Sequence, residues 1–207
     1  MKIAIIDYGM GNLGSVRRAF EVLGAKVSII KDPGELTAIN RIVLPGVGSF
    51  KDGMDRLQSL QWKPAIEQAL RNNGVALLGI CLGMQMLAEF GEEGGLTDGL
   101  GLISGTVKKL DKFGCSIRIP HVGWNEVTND IRDPLYKNIP QKTDFYFVHS
   151  YAFEVSNPET QIGYVDYDGK ITASVRLNNI FGTQFHPEKS SKAGHVLLKN
   201  FMEYTPC

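Results

Sequence analysis

A chain of 207 residues with 43% hydrophobic and 21% charged side chains suits one globular domain with a sizeable core, so a single domain over 1–207 is expected. Lys+Arg and Asp+Glu balance at 22 each, which gives no support to a general nucleic-acid or anionic-membrane surface. The three cysteines, Cys81, Cys115 and Cys207, are odd in number and far apart, and no apolar run is long enough to span a bilayer. The opening "MKIAIID" reads as a buried strand and not a secretion signal, so the expected setting is a reducing cytoplasm.

In chain order, "KIAIID" (2–7) predicts a strand and "GSVRRAFEVLG" (14–24) a helix closed by Gly24. Between them, "DYGMGNLGSV" spaces Gly9, Gly11 and Gly14 as G-x-G-x-x-G, and Asp32 follows Gly14 by 18 residues. On spacing alone this is a dinucleotide-binding fingerprint. Against it, Asp7 and Tyr8 lengthen the turn before Gly9, and Asp32 precedes Pro33-Gly34 and can simply open a turn. "KVSIIK" (26–31) and "RIVLPG" (41–46) predict further strands. "QWKPAIEQALRNNG" (61–74) predicts a helix that tolerates Pro64 in its first turn. "VALLGI" (75–80) lacks polar alternation, as in a strand covered on both faces, and "LGMQMLAEF" (82–90) begins another helix. This βαβ alternation implies a mainly parallel central sheet flanked by helices.

The second half is strand-rich: "GLGLISGTVKKL" (99–110), "FYFVHSYAFEV" (145–155), "IGYVDYDGKITASVRL" (162–177) and "NIFGTQFH" (179–186). Asp168-Gly169 marks a hairpin. The tail (190–204) reads as a helix, with Ser190 or Ser191 as its cap. The fold class is α/β, with additional antiparallel strands in the second half.

The sharpest chemical feature is Gly79-Ile80-Cys81-Leu82-Gly83, a strand running straight into a helix. This is the G-x-S-x-G nucleophile elbow with sulfur for oxygen. Small neighbours let the backbone bend at the nucleophile, a helix N-terminus favours the thiolate, and the Leu82 N–H can face an oxyanion. The alternative is a buried core cysteine. A thiolate needs a base and the base an orienting group. His186 ends an apolar strand, is followed by Pro187, and has Glu188 two residues on; His121 and His149 fall in strand contexts, and His195 reads as helix packing. Taken with Cys81, these residues point to a Cys81–His186–Glu188 triad; taken alone, "HPE" reads as a surface turn. "LPGVGSF" (44–50) can expose backbone N–H groups that complete an oxyanion hole. The Cys and His residues lack metal-ligand spacing, so no metal or cofactor is expected.

"GICLGMQ" and "GTQFHPEKS" resemble the class I, triad-type glutamine amidotransferases. "DYGMGNLGSV", "LPGVGSF", "HVGWNEV" and "YFVHSY" narrow the resemblance to the glutaminase subunits of imidazole glycerol phosphate synthases, with 92–118 as the divergent stretch. The resemblance implies a flavodoxin-like amidotransferase domain that hydrolyses L-glutamine to glutamate and ammonia. It places the oxyanion on N–H groups of Leu82, Val47 and Gly48. It places glutamine near Gly46, Gly48, Gln85, Glu93, His149, Ser150 and Tyr151. It implies a (β/α)₈-barrel cyclase as heterodimer partner, met by Met10, Asn12, Trp124, Asn125, Tyr146 and Lys189, although Trp124 and Tyr146 equally suit core packing. The competing readings are a paralogous glutaminase serving another acceptor enzyme, such as one of surface-sugar or pyridoxal phosphate synthesis, a dinucleotide-binding oxidoreductase, and a non-enzymatic interaction protein.

Overall fold

The computed structural model describes residues 2–71 and 74–205, so Cys207 lies outside the described residues. The first half is built as β1 (Lys2–Ile6), α1 (Leu13–Val22), β2 (Lys26–Ile30), β3 (Arg41–Gly46), α2 (Phe50–Ser59), α3 (Trp62–Leu70), β4 (Ala76–Cys81) and the single turn α4 (Leu82–Gln85). β2, β1, β3 and β4 pair in parallel in that order. Successive residues of these strands face opposite layers. Ile3 and Ile5 pack with Phe20 of α1, while Ala4 and Ile6 share the other core with Leu57 of α2 and Trp62 and Ile66 of α3. Both β3 and β4 are buried along their whole length, which explains why they are apolar apart from Arg41 at the start of β3. Burying one such Leu, Ile or Phe contributes roughly 1.5–3 kcal/mol.

The second half adds β5 (Phe90–Gly91), β6 (Thr97–Asp98), β7 (Gly105–Lys109), β8 (His121–Asn129), β9 (Thr143–His149), β10 (Tyr151–Val155), β11 (Gln161–Asp166), β12 (Lys170–Leu177), β13 (Ile180–Thr183) and α5 (Ser191–Glu203). The nine-stranded sheet runs β2-β1-β3-β4-β13-β12-β11-β8-β9, and β10-β7-β5-β6 form a smaller sheet. β13 lies parallel to β4 but antiparallel to β12, so it joins the parallel half to the antiparallel half. No helix among the described residues is long and apolar enough to cross a membrane.

The structure departs from the sequence reading at four places. A helix at 50–59 was not anticipated, although Ser49 caps it through its hydroxyl and Phe50, Met54 and Leu57 bury one face. The helix after Cys81 stops at Gln85 and does not run through 82–90. The Met86, Leu87 and Ala88 carbonyls accept N–H groups from residues 100–103, so a continuing helix would have no use of them. The same contact takes residues 99–104 out of the strand expected over 99–110. Finally, Ser190 occupies the cap position of α5 without capping it; its hydroxyl donates to the His186 carbonyl and accepts the Tyr146 N–H. The Asp168-Gly169 hairpin is present, with Asp166 opposite Lys170 and Asp168 at φ 51°.

Candidate active site

Cys81 ends β4 at φ 56° and ψ −111°, a conformation strained for a residue with a Cβ, and β4 passes directly into α4. The flanking glycines are required by close approach. A Cβ on Gly83 would collide with the Leu44 carbonyl oxygen, and one on Gly79 would lie 2.6 Å from the Gly83 oxygen. The elbow is therefore held by packing against β3. Because α4 is one turn long, the strand-end strain and not a long helix dipole distinguishes this cysteine.

His186 and Glu188 follow β13 on a tight turn spanning Pro187–Lys189. His186 Nδ1 lies 2.8 Å from Glu188 Oε1, and both side chains are almost wholly buried. The His186 N–H donates to the Tyr146 carbonyl on β9, and the His186 carbonyl accepts from the Ser190 hydroxyl and the Lys189 N–H. These three bonds fix the His186 main chain, and the Glu188 carboxylate orients its ring. Burial is the largest influence on its pKa and lowers it. Interaction with Cys81 and with Glu188, as hydrogen bonds and as charges, outweighs burial and lifts it to about 9. His186 Nε2 has no hydrogen bond meeting ordinary geometry and is the ring atom left for the sulfur and a substrate.

A cavity of about 270 Å³ opens over the sulfur. Its wall brings together Val47, Gly48, Cys81, Leu82, Gln85, Glu93, Val148, His149, Ser150, Tyr151 and His186, residues drawn from both halves of the chain. Glu93, from the divergent stretch, does reach this cavity, and its carboxylate accepts the Phe50 N–H at 2.7 Å. Gly46 does not line it; a Cβ there would lie 2.5 Å from the Tyr8 hydroxyl and 2.9 Å from Leu82 Cβ, so Gly46 makes room for the elbow. A larger groove of about 390 Å³, bordered by Pro33, Leu36, Ala65 and Val75, carries no titratable side chain and shares no residue with the first.

Two residues, one beside the sulfur and one behind the cavity wall, carry no assignment from sequence. Gln184 is fully buried; its Nε2 lies 3.8 Å from Cys81 Sγ and its Oε1 accepts from Gln85 Nε2 at 2.9 Å. Its position two residues before His186 was the available signal, since strand residues two apart share a face. His121 is buried against His149, with ring nitrogens 3.0 Å apart. That pairing depends on the β8–β9 register, which sets His121 opposite His149.

The glycine loop of residues 9–14 sits beside the cavity. A Cβ on Gly48 would lie 2.8 Å from Met10 Cε, and one on Gly11 would touch Pro45. Asp7 accepts the Gly9 N–H, Asn12 caps α1 by accepting the Ser15 N–H, and Asp32 caps the turn Pro33–Ala38 by accepting the Gly34 N–H. Asp32 thus serves as a cap, the turn-opening role its place before Pro33-Gly34 suggests. On the outer face of β8 and β9, Trp124 stands opposite Tyr146 and Val122 opposite Val148. Trp124 is 53% exposed and meets the half-buried Tyr146 edge-on at 6.0 Å, so it is not a core residue. The exposed Lys189 holds its ammonium 5.9 Å from the Tyr146 ring centre.

Residues 4–204 match the family profile described as "Glutamine amidotransferase class-I". The imidazole glycerol phosphate synthase subunit HisH of Moorella thermoacetica is 48% identical over 97% of this chain and 94% of its own. HisH 1 of Parasynechococcus marenigrum is 46% identical over 99% and 98%. Among solved structures, PurLQS from Thermotoga maritima superposes with a TM-score of 0.76 over 98% of both chains at 18% identity, a likeness of fold alone. The chain belongs to the class-I glutamine amidotransferases, among the HisH-type subunits of imidazole glycerol phosphate synthase.

Proposed function

We propose that this chain, acting as one domain, hydrolyses L-glutamine at Cys81 and delivers the ammonia to a synthase partner of histidine biosynthesis. The observation that carries the reading is the meeting of Cys81 and His186 on the wall of one cavity large enough for an amino acid, with Glu188 hydrogen-bonded behind His186. The Cys81 sulfur attacks the side-chain amide carbon of glutamine, and its proton resides on His186 Nε2. Glu188 holds Nδ1–H and stabilises the imidazolium, which fits the elevated His186 pKa. The tetrahedral oxyanion is received by the N–H groups of Leu82 and of the Val47–Gly48 segment. Collapse expels ammonia as His186 returns its proton to the leaving nitrogen, leaving a glutamyl thioester on Cys81. A water deprotonated by His186 attacks that thioester, and glutamate leaves as Cys81 regains its proton.

Gln85, Glu93, His149, Ser150 and Tyr151 surround the rest of the substrate, with Glu93 suited to the α-ammonium. Ammonia released into neutral water is mostly protonated and no longer nucleophilic, so it must pass directly to the acceptor. The exposed Val122, Trp124 and Val148 beside the half-buried Tyr146, with Val47 exposed on the cavity wall, form an apolar surface suited to a partner that seals the passage. We assign that partner as a (β/α)₈-barrel cyclase, with Met10, Asn12, Asn125 and Lys189 around the contact. The setting is cytoplasmic. The test is to co-purify the chain with its partner, identify that protein, and measure glutamate release with and without it. Hydrolysis that requires Cys81 and is stimulated by the partner supports the reading; hydrolysis by a Cys81→Ala variant would remove Cys81 from it.

A further inference from the structure

A hydrogen-bonded chain reaches the nucleophile by a route separate from the triad. It starts at Asn125 on β8, whose Nδ2 lies 3.4 Å from His121 Nε2. His121 Nδ1 is 3.0 Å from His149 Nε2, and His149 Nδ1 is 2.9 Å from the Tyr151 carbonyl. That carbonyl also accepts Gln85 Nε2 at 2.8 Å. Gln85 Nε2 donates in addition to Gln184 Oε1, and Gln184 Nε2 faces Cys81 Sγ.

The direction of every bond follows from the far end. A carbonyl only accepts, so His149 carries its proton on Nδ1. As a neutral ring it then accepts at Nε2, which makes His121 the donor from Nδ1. His121 in turn accepts at Nε2 from the Asn125 amide. Both rings are neutral and share one tautomer, and burial lowers the pKa of each, in agreement. His121 cannot swing away, because it is stacked between Phe147 and Tyr167 at 4.7 and 3.9 Å. At the other end, both Gln85 amide hydrogens are committed, so only its Oε1 remains to face the cavity.

We propose that His121, which touches neither the cavity nor the sulfur, is a positioning residue of the glutamine site. Its Nδ1–H locks the His149 ring, and through the Tyr151 carbonyl it fixes which face of the Gln85 amide meets the substrate. The proposal rests on the reading of this cavity as the glutamine site.

Two substitutions separate the donor from the ring. His121→Phe keeps the stack and loses the donor; His121→Asn loses the stack and keeps a donor where Nδ1 stood. Glutamine hydrolysis is measured on the full chain with its co-purified partner. The expected result is a KM raised about tenfold in His121→Phe with kcat less affected, and a value within about threefold of the parent in His121→Asn, as for orphaning one buried hydrogen-bond partner. Equal impairment, no impairment, or Asn worse than Phe would overturn the proposal in favour of packing alone. Nitrogen-15 NMR of the unmodified chain gives a reading that needs no variant: both rings must show the Nδ1–H tautomer, and an Nε2–H signal from either overturns the chain. Cys81→Ala is run in parallel. Hydrolysis surviving in Cys81→Ala defeats the reading of the site, whereas its loss beside an indifferent His121→Phe defeats only the role of His121.

Discussion

His186 and His149 in the cavity wall, and His121 behind His149, are all buried, and burial pushes every one of these rings toward the neutral form. They nevertheless end far apart. His186 rises to about 9, while His121 falls to about 4 and His149 to about 3. The difference is in the partners. His186 faces a carboxylate and a sulfur that both favour the imidazolium; His149 faces a carbonyl and a second neutral ring, and His121 a ring and an amide. On the proposed reading, one site holds a proton ready for transfer and the other holds hydrogen-bond direction.

The comparison breaks most violently at the triad. His186→Ala is expected to lower glutamine turnover by about 10⁵ or more, and Glu188→Gln by about 10⁴, measured by glutamate release. Glu188→Gln also deprives His186 of its anionic partner, so its NMR-monitored titration should shift down toward that of the His121–His149 pair. Retention of the high value would assign the elevation to Cys81 alone.

Stability against pH sharpens the same contrast, because the two groups carry opposite signs. Unfolded histidines titrate near 6.5, so between that pH and about 4 the unfolded chain binds protons that His121 and His149 refuse. Their contribution is therefore lost as pH falls through this window. The His186 contribution is present below its unfolded value and is lost as pH rises through about 9. Thermal unfolding from pH 4 to pH 10 should show a decline on each flank. His121→Phe should flatten the acid flank and His186→Ala the alkaline one.

Smaller effects lie at the rim. Trp124→Ala should leave the stability of the isolated chain within about 0.5 kcal/mol, because the ring is half exposed, yet weaken the partner complex by about 2 kcal/mol in a calorimetric titration. Smallest is Tyr8→Phe. The Tyr8 hydroxyl is buried beneath Gly46 with no hydrogen-bond partner, so its removal should be neutral or stabilise by up to about 1 kcal/mol in urea unfolding.

Much of this arrangement was legible in the amino-acid sequence, for local reasons. Strands buried on both faces announce themselves by unbroken apolar runs, as at 76–81. The elbow around Cys81 and the Asp168-Gly169 hairpin are short-range constraints on backbone angles. The helix at 50–59 is faint in the sequence because Gly53 and its charged residues dilute a pattern that Phe50, Met54 and Leu57 still carry. The early stop of α4 depends on carbonyls claimed by residues 100–103, and the His121–His149 contact on the register of β8 against β9. Such pairings between distant segments leave no periodic trace. The exposure of Trp124 was undecided for the same reason, since alternation along β8 defines two faces but not which one the rest of the fold covers.

The central claim is that Cys81 becomes acylated by glutamine. The direct measurement is acid quench of the partner-bound chain during turnover of isotopically labelled glutamine, followed by mass spectrometry of its peptides. The account predicts a labelled glutamyl thioester on the peptide carrying Cys81, accumulating transiently and lost on treatment with hydroxylamine. Turnover at full rate with the label absent from Cys81, or found on another residue, would contradict it.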